Sequence, residues 1–161
     1  MRLYFLRHGD ALESPYYHDS ERPLSDLGRR QAQTAGRFLH ALRIKPDLIL
    51  TSPLVRAKET GEIVRDAVHA KGFMTTPVLA SGGNLRDCLK EINGHPVPSL
   101  LLVGHEPQLS AMISVFTGGD EQFRVAMEKA TLACLDTNHP VKKGHAVLLW
   151  LLPANILEVL R

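Results

Sequence analysis

Short apolar runs alternate with stretches whose apolar residues recur at helical spacing, and their order along the chain predicts an α/β domain. Arg2 to Leu6 is an apolar and aromatic run broken by Gly9, which reads as a buried first strand. Residues 10 to 24 are polar, carry Pro15, Pro23 and two tyrosines, and read as a surface loop. Ser25 then caps a helix on which Ala35, Phe38, Leu39 and Leu42 share a face. Pro46 punctuates before a second strand, Asp47 to Leu50. Pro53 suits the first turn of another helix, with Ala57, Ile63, Val64, Ala67 and Val68 as its apolar face and Gly72 as its end.

Pro77 to Ala80 is a strand candidate, and after the Gly82-Gly83 turn Asn84 caps a short helix through Ile92. Leu100 to Val103 is the clearest buried strand, broken by Gly104, and Pro107 to Phe116 reads as a helix ended by Gly118-Gly119. Two late strands, Thr131 to Leu135 and Ala146 to Leu152, flank a turn rich in Pro, Lys and Gly. No repeat, linker or low-complexity tract interrupts the pattern, so 161 residues predict one domain over 1–161.

A net charge of +2, with no Lys/Arg stripe interleaved with aromatics, argues against a nucleic-acid partner. It still suits an anionic substrate if arginines converge in a cleft. The two cysteines, Cys88 and Cys134, show no metal-ligand spacing, which favours a reducing compartment. Leu3 to Leu6 is too short for a secretory core, and the run Ala146 to Leu152 is too short to cross a membrane. A cytoplasmic protein with no membrane contact is expected.

Candidate chemistry gathers at strand ends. His8 follows the first strand, Thr51-Ser52 the second, and Gly104-His105-Glu106 the clearest later one. Ligands of open α/β sheets sit outside the carboxyl ends of the strands, so parallel strands would bring the three clusters to one edge. Each cluster alone has an ordinary reading: a structural His8, a solvated helix carrying Arg56 and Thr60 one turn apart, and a turn at His105. Together they suggest an anion site. A neutral imidazole is a good nucleophile toward phosphorus, and the Arg7 guanidinium can grip phosphate oxygens bidentately. Gly9 lets backbone approach closely, and the helix after Ser52 offers N–H groups to an anion. Arg56 supplies a second clamp, Ser52 a hydroxyl, and His105 a donor near transferring charge. His18, His40, His69, His95, His139 and His145 read as surface histidines.

In this order the segments resemble the histidine phosphatase superfamily, also called phosphoglycerate mutase-like, and above all its short SixA-type phosphohistidine phosphatases. The matching text is Leu6-Arg7-His8-Gly9-Asp10-Ala11, then Arg22-Pro23-Leu24-Ser25-Asp26-Leu27-Gly28 with Ala32. Thr51-Ser52-Pro53-Leu54-Val55-Arg56-Ala57 with Thr60 follows, and Val103-Gly104-His105-Glu106-Pro107 closes it. The resemblance implies a three-layer α/β/α sandwich with a mostly parallel central sheet. It makes His8 the nucleophile, His105 the second catalytic histidine, Arg7 and Arg56 the phosphate clamps, and Arg22 a basic residue at the rim. It implies chemistry without a metal or other cofactor, and two arginines beside few carboxylates suit that.

Many members of the family protonate the leaving oxygen with a carboxylic acid. No segment after Arg56 matches one version of that acid, and Glu106 stands where the other version places it, with helix N-terminal charge pairing as its alternative role. A phosphoramidate tolerates a weak acid better than an alkyl phosphate does. The expected activity is therefore hydrolysis of a protein phosphohistidine through a phosphorylated His8. Its rivals are a phosphatase of small phosphate esters with Glu106 as acid, a phosphoprotein-binding module without turnover, and a metal site of His8, Asp10 and His105.

Overall fold

Strand β1 (Arg2–Arg7) reads Arg-Leu-Tyr-Phe-Leu-Arg, and its alternate side chains enter two different cores. Leu3 and Phe5 point to one face of the sheet, Tyr4 and Leu6 to the other. A strand that is apolar on both faces must be covered on both, which is the signature of a central strand in a layered α/β fold. The computed structural model, which describes residues 1–160, shows that arrangement.

Among the described residues six strands form one sheet. They are β1, β2 (Leu48–Thr51), β3 (Gly72–Thr75), β4 (Ser99–Gly104), β5 (Leu132–Asp136) and β6 (Val147–Leu152), in the order β3-β2-β4-β1-β5-β6. The first four are parallel, and β5 and β6 join antiparallel. On the Leu3 and Phe5 face lie α3 (Leu85–Asn93), through Cys88 and Ile92, and α4 (Gln108–Gly118), through Leu109, Met112, Ile113 and Phe116. On the opposite face lie α1 (Asp26–Ala41), α2 (Val55–Val68) and α5 (Ala154–Val159), through Ala35 and Leu39, Ala57 and Val64, and Leu157. The expected three-layer sandwich with a mostly parallel sheet is the fold.

Capping follows the sequence closely. The Ser25 hydroxyl accepts the Gly28 amide at 3.1 Å, and the Asn84 side-chain oxygen accepts that of Asp87 at 2.9 Å. Boundaries around α2 differ from expectation. Pro53 precedes the helix, because the Ser52 hydroxyl captures the Leu54 amide at 3.2 Å in a tight turn first. The helix ends when His69 turns left-handed at φ 53°, and Gly72 opens β3 instead of closing α2. Pro77 to Leu79 is a 3₁₀ turn and not a strand, since Pro77 lacks the N–H a ladder needs. Leu42 lies just past α1, exposed, where Arg43 adopts φ 56°. Helix α5 is an element the apolar pattern does not predict.

Parallel pairing fixes the functional edge. Arg7 stands opposite Gly104 in the β1/β4 pair, and Thr51 opposite Val103 in the β2/β4 pair. The ladder continues one step past the strands: the His8 amide donates to the Gly104 carbonyl at 3.1 Å and the Ser52 amide to the Val103 carbonyl at 2.9 Å.

Candidate active site

The end of β1 delivers Arg7 and His8 to this edge, and local bonds orient the His8 ring. His8 Nδ1 lies 2.7 Å from the Gly9 carbonyl oxygen, an acceptor only, so Nδ1 carries the proton and donates. Nε2 then keeps its lone pair and accepts Arg56 Nε–H at 3.3 Å. The Gly9 amide donates to Thr60 Oγ1 at 3.1 Å, and that hydroxyl donates to the Arg56 carbonyl one turn back in α2 at 2.7 Å. Gly9 therefore serves a different purpose from the expected approach to phosphate. Its amide is committed, and a Cβ there would stand 2.6 Å from the Gly28 carbonyl oxygen, so the absent side chain admits the start of α1.

His105, at the end of β4, lies with its ring centroid 5.0 Å from that of His8. Its Nε2 is 2.8 Å from Ser52 Oγ. Ser52 Oγ also accepts the Leu54 amide, and its second lone pair and its own proton leave it able to accept from or donate to Nε2. His105 Nδ1 is buried and meets no hydrogen-bond partner among the described residues, and neither does Arg7 Nε. Another donor of Arg7, Nη1, is spent on the Met127 carbonyl at 3.0 Å.

A cavity of about 230 Å³ opens at this edge, lined by Arg7, His8, Arg22, Arg56, His105 and Glu106, together with Ala11, Glu13, Ser81 and Lys129. Six of the residues singled out from sequence thus share one wall. Ser52 does not line it: the hydroxyl expected on phosphate is fully buried and held by His105. Of the first turn of α2, only Arg56 reaches the cavity. Glu106 lines the cavity while its Oε1 accepts the Ser110 amide at 3.0 Å in the first turn of α4. Asp10 is turned elsewhere, onto Lys129 and, at 2.6 Å, onto the Ser25 hydroxyl, so it faces neither histidine as a metal partner. A larger groove of about 570 Å³, among His40, Arg43, Lys45 and His69, lies by the C-terminal ends of α1 and α2 and holds none of these groups.

Sequence reasoning overlooked Asp19 and Lys129. Asp19 shares its carboxylate between Arg56 and Arg22, and Lys129 pairs with Asp10 across 119 residues of chain. The only local trace of the first is the Asp19, Arg22 spacing within the polar loop.

Electrostatics favour neutral imidazoles beside cations. Burial pushes His8 down to about 3; the Gly9 carbonyl opposes this, while His105, Arg56 and Arg7 reinforce it. Burial and then Arg56 bring His105 down to about 4, with Asp19 working the other way and Arg7 adding to the depression. The arrangement offers an unprotonated imidazole nitrogen, bonded only to Arg56 Nε–H, inside a cationic pocket.

The sequence model of the histidine phosphatase superfamily (branch 1) matches residues 3–80, a span that holds Arg7, His8, Arg22 and Arg56. A protein of unassigned function from Picosynechococcus sp. PCC 7002 is 33% identical over 134 residues, covering 81% of each chain. The phosphohistidine phosphatase SixA of Escherichia coli K12 is 26% identical over 124 residues, covering 74% of this chain and 76% of that one. A solved structure of the protein histidine phosphatase SixA with tungstate superposes with a TM-score of 0.86 at 21% identity, covering 96% of this chain and 98% of the other. With its family match beginning at β1 and its fold shared from end to end, this chain belongs to the histidine phosphatase superfamily and is a phosphatase.

Proposed function

We propose that the protein is a phosphohistidine phosphatase that passes a phosphoryl group from a protein histidine to His8 and then to water. The observation that carries this reading is the convergence of Arg7, Arg22, Arg56 and His105 on one cavity with His8, whose Nδ1–H is held by the Gly9 carbonyl so that Nε2 keeps its lone pair.

In the first step the His8 Nε2 lone pair attacks phosphorus in line, and the P–N bond to the substrate imidazole breaks. The departing ring, protonated on its other nitrogen, leaves as neutral imidazole. The negative oxygens are held by Arg7, by the N–H groups of Arg56 not given to other partners, and by His105. Arg56 Nε must release His8 Nε2 as the phosphoryl arrives. In the second step water attacks phosphorus, the P–Nε2 bond breaks, and a proton passes from the water to phosphate or solvent. The Gly9 carbonyl holds the His8 Nδ1–H throughout, so the ring keeps its tautomer. Glu106 is the candidate proton donor for leaving groups poorer than imidazole, and its place on the cavity wall favours the second reading, a phosphatase of small phosphate esters.

One domain over 1–161 and a cytoplasmic setting belong to the same proposal. Cys88 and Cys134 are free and lie in the cores on opposite faces of the sheet. Among the described residues, no helix is long and apolar enough to cross a membrane.

The test is turnover of a phosphohistidine protein beside a phosphoserine peptide and a panel of alkyl and aryl phosphates, for the native protein and His8→Ala. The reading expects preference for phosphohistidine, and loss of both turnover and acid-labile labelling in the variant. Equal or better turnover of alkyl phosphates would transfer the conclusion to the second reading, and turnover surviving in His8→Ala would remove His8 as nucleophile.

A further inference from the structure

Between β1 and α1 the chain makes a short 3₁₀ turn, Asp19–Glu21, and the first residue of that turn joins two arginines of the cavity wall. Asp19 Oδ1 accepts Arg22 Nε at 3.2 Å and Arg22 Nη2 at 3.0 Å. Asp19 Oδ2 accepts Arg56 Nη2 at 3.1 Å, and the Asp19 carbonyl accepts Arg56 Nη1. Both carboxylate oxygens and the main-chain oxygen are thus committed to guanidinium groups.

The two arginines need such a partner for different reasons. The Arg56 side chain is 6% exposed, and a cation removed from water requires an opposite charge. Arg22 is more open, and its other contact is a long one, 3.5 Å from Nη1 to the Leu12 carbonyl. Two like charges on one wall also repel. The carboxylate between them cancels that repulsion and fixes the angle of both planes. Arg56 loses little by it, because Nη1 and Nη2 each carry a second N–H.

We propose that Asp19 is a positioning residue of the phosphoryl clamp: it locks Arg56 and Arg22 into one unit, and Arg22 grips the phosphoryl group only while Asp19 holds it. This rests on the reading of the cavity as a phosphoryl site. The competing role is a carboxylate that merely occupies Arg56 and has to be displaced by substrate. The two roles predict opposite signs. A positioning residue strengthens oxyanion binding, whereas an occupant weakens it.

The experiment measures tungstate binding by calorimetry to the full chain carrying Asp19→Ala, Asp19→Asn, Asp19→Glu, Arg22→Ala or both Asp19→Ala and Arg22→Ala, with Arg56→Ala as control. KM and kcat are recorded on the best substrate. Loss of one charge-assisted contact predicts tungstate binding about tenfold weaker in Asp19→Ala. Asp19→Asn, close to isosteric, shows the same direction, and Asp19→Glu recovers part of the loss. KM rises more than kcat falls. In the Arg22→Ala background the Asp19→Ala effect shrinks, because the two residues act together. Tighter or unchanged tungstate binding in the alanine and asparagine variants overturns the proposal, and so do equal fold-losses in both backgrounds. Unchanged binding in Arg56→Ala instead overturns the phosphoryl-site reading, and the Asp19 proposal falls with it.

Discussion

Two imidazoles kept neutral by burial make the phosphatase sensitive to acid in a defined window. His8 and His105 ionise at about 3 and about 4 in the folded protein, against 6.5 for an ordinary histidine. Between those values the unfolded chain binds more protons than the native one, so stability is complete above 6.5 and declines as pH falls toward 4. Asp10, through Lys129 and then Ser25, is held below the usual carboxylate range. Burial opposes the same shift at Asp19, where the Arg56 and Arg22 contacts outweigh it. Both carboxylates therefore withdraw their support only in stronger acid. Urea midpoints measured from pH 7 to 4.5 should fall, and His8→Asn and His105→Asn should each flatten that fall. A slope identical to the native one would assign the acid loss to other groups. At this scale the gathering of Arg7, His8, Arg56 and His105 at one cavity was legible, since each abuts a strand end or opens a helix. The sequence concealed the bond between Ser52 and His105 and the contacts of Asp19 with Arg56 and of Lys129 with Asp10. Those depend on side-chain directions across 53, 37 and 119 residues of chain.

The start of α1 is pressed against the connection that follows His8. A Cβ on Gly28 would overlap the Asp10 backbone carbonyl, and one on Gly9 would crowd Gly28 in return. Backbone, unlike a flexible side chain, yields only by moving the whole connection. Gly28→Ala should therefore destabilise the fold by about 1–3 kcal/mol, as overpacking does. It should also lower kcat, because Asp10 is two residues from His8. Urea unfolding and turnover on one preparation check both, and a variant as stable and active as the native chain would show that α1 shifts freely. The caps of α1 and α3 were legible, since Ser25 and Asn84 act within three residues of themselves. The end of α2 and strand β3 were not. His69 adopts a left-handed turn without being glycine, and β3 is a four-residue edge strand whose half-exposed side chains carry no alternation.

For the molecule as a whole, the alternation of strand and helix was enough to anticipate an α/β domain, the layers came from the family resemblance, and the meeting of His8, Ser52 and His105 followed once the strands were taken as parallel. Strand order was beyond it, because which strands become neighbours depends on packing between distant segments. The antiparallel addition of β5 and β6 was equally out of reach. That order places β1 between β4 and β5, bonded on both sides and covered by helices on both faces. Amides so placed exchange with solvent only when the entire domain opens. His8, the proposed nucleophile, is thus mounted at the end of the strand expected to come apart last. Tyr4, Phe5 and Leu6 should show the slowest hydrogen exchange in the protein, at rates set by global unfolding. Loss of activity in urea should then track loss of the sheet measured by circular dichroism, with one midpoint for both. Activity lost ahead of the sheet would shift the weak point to the loop carrying Asp19, and durability would then be gained by bracing that loop.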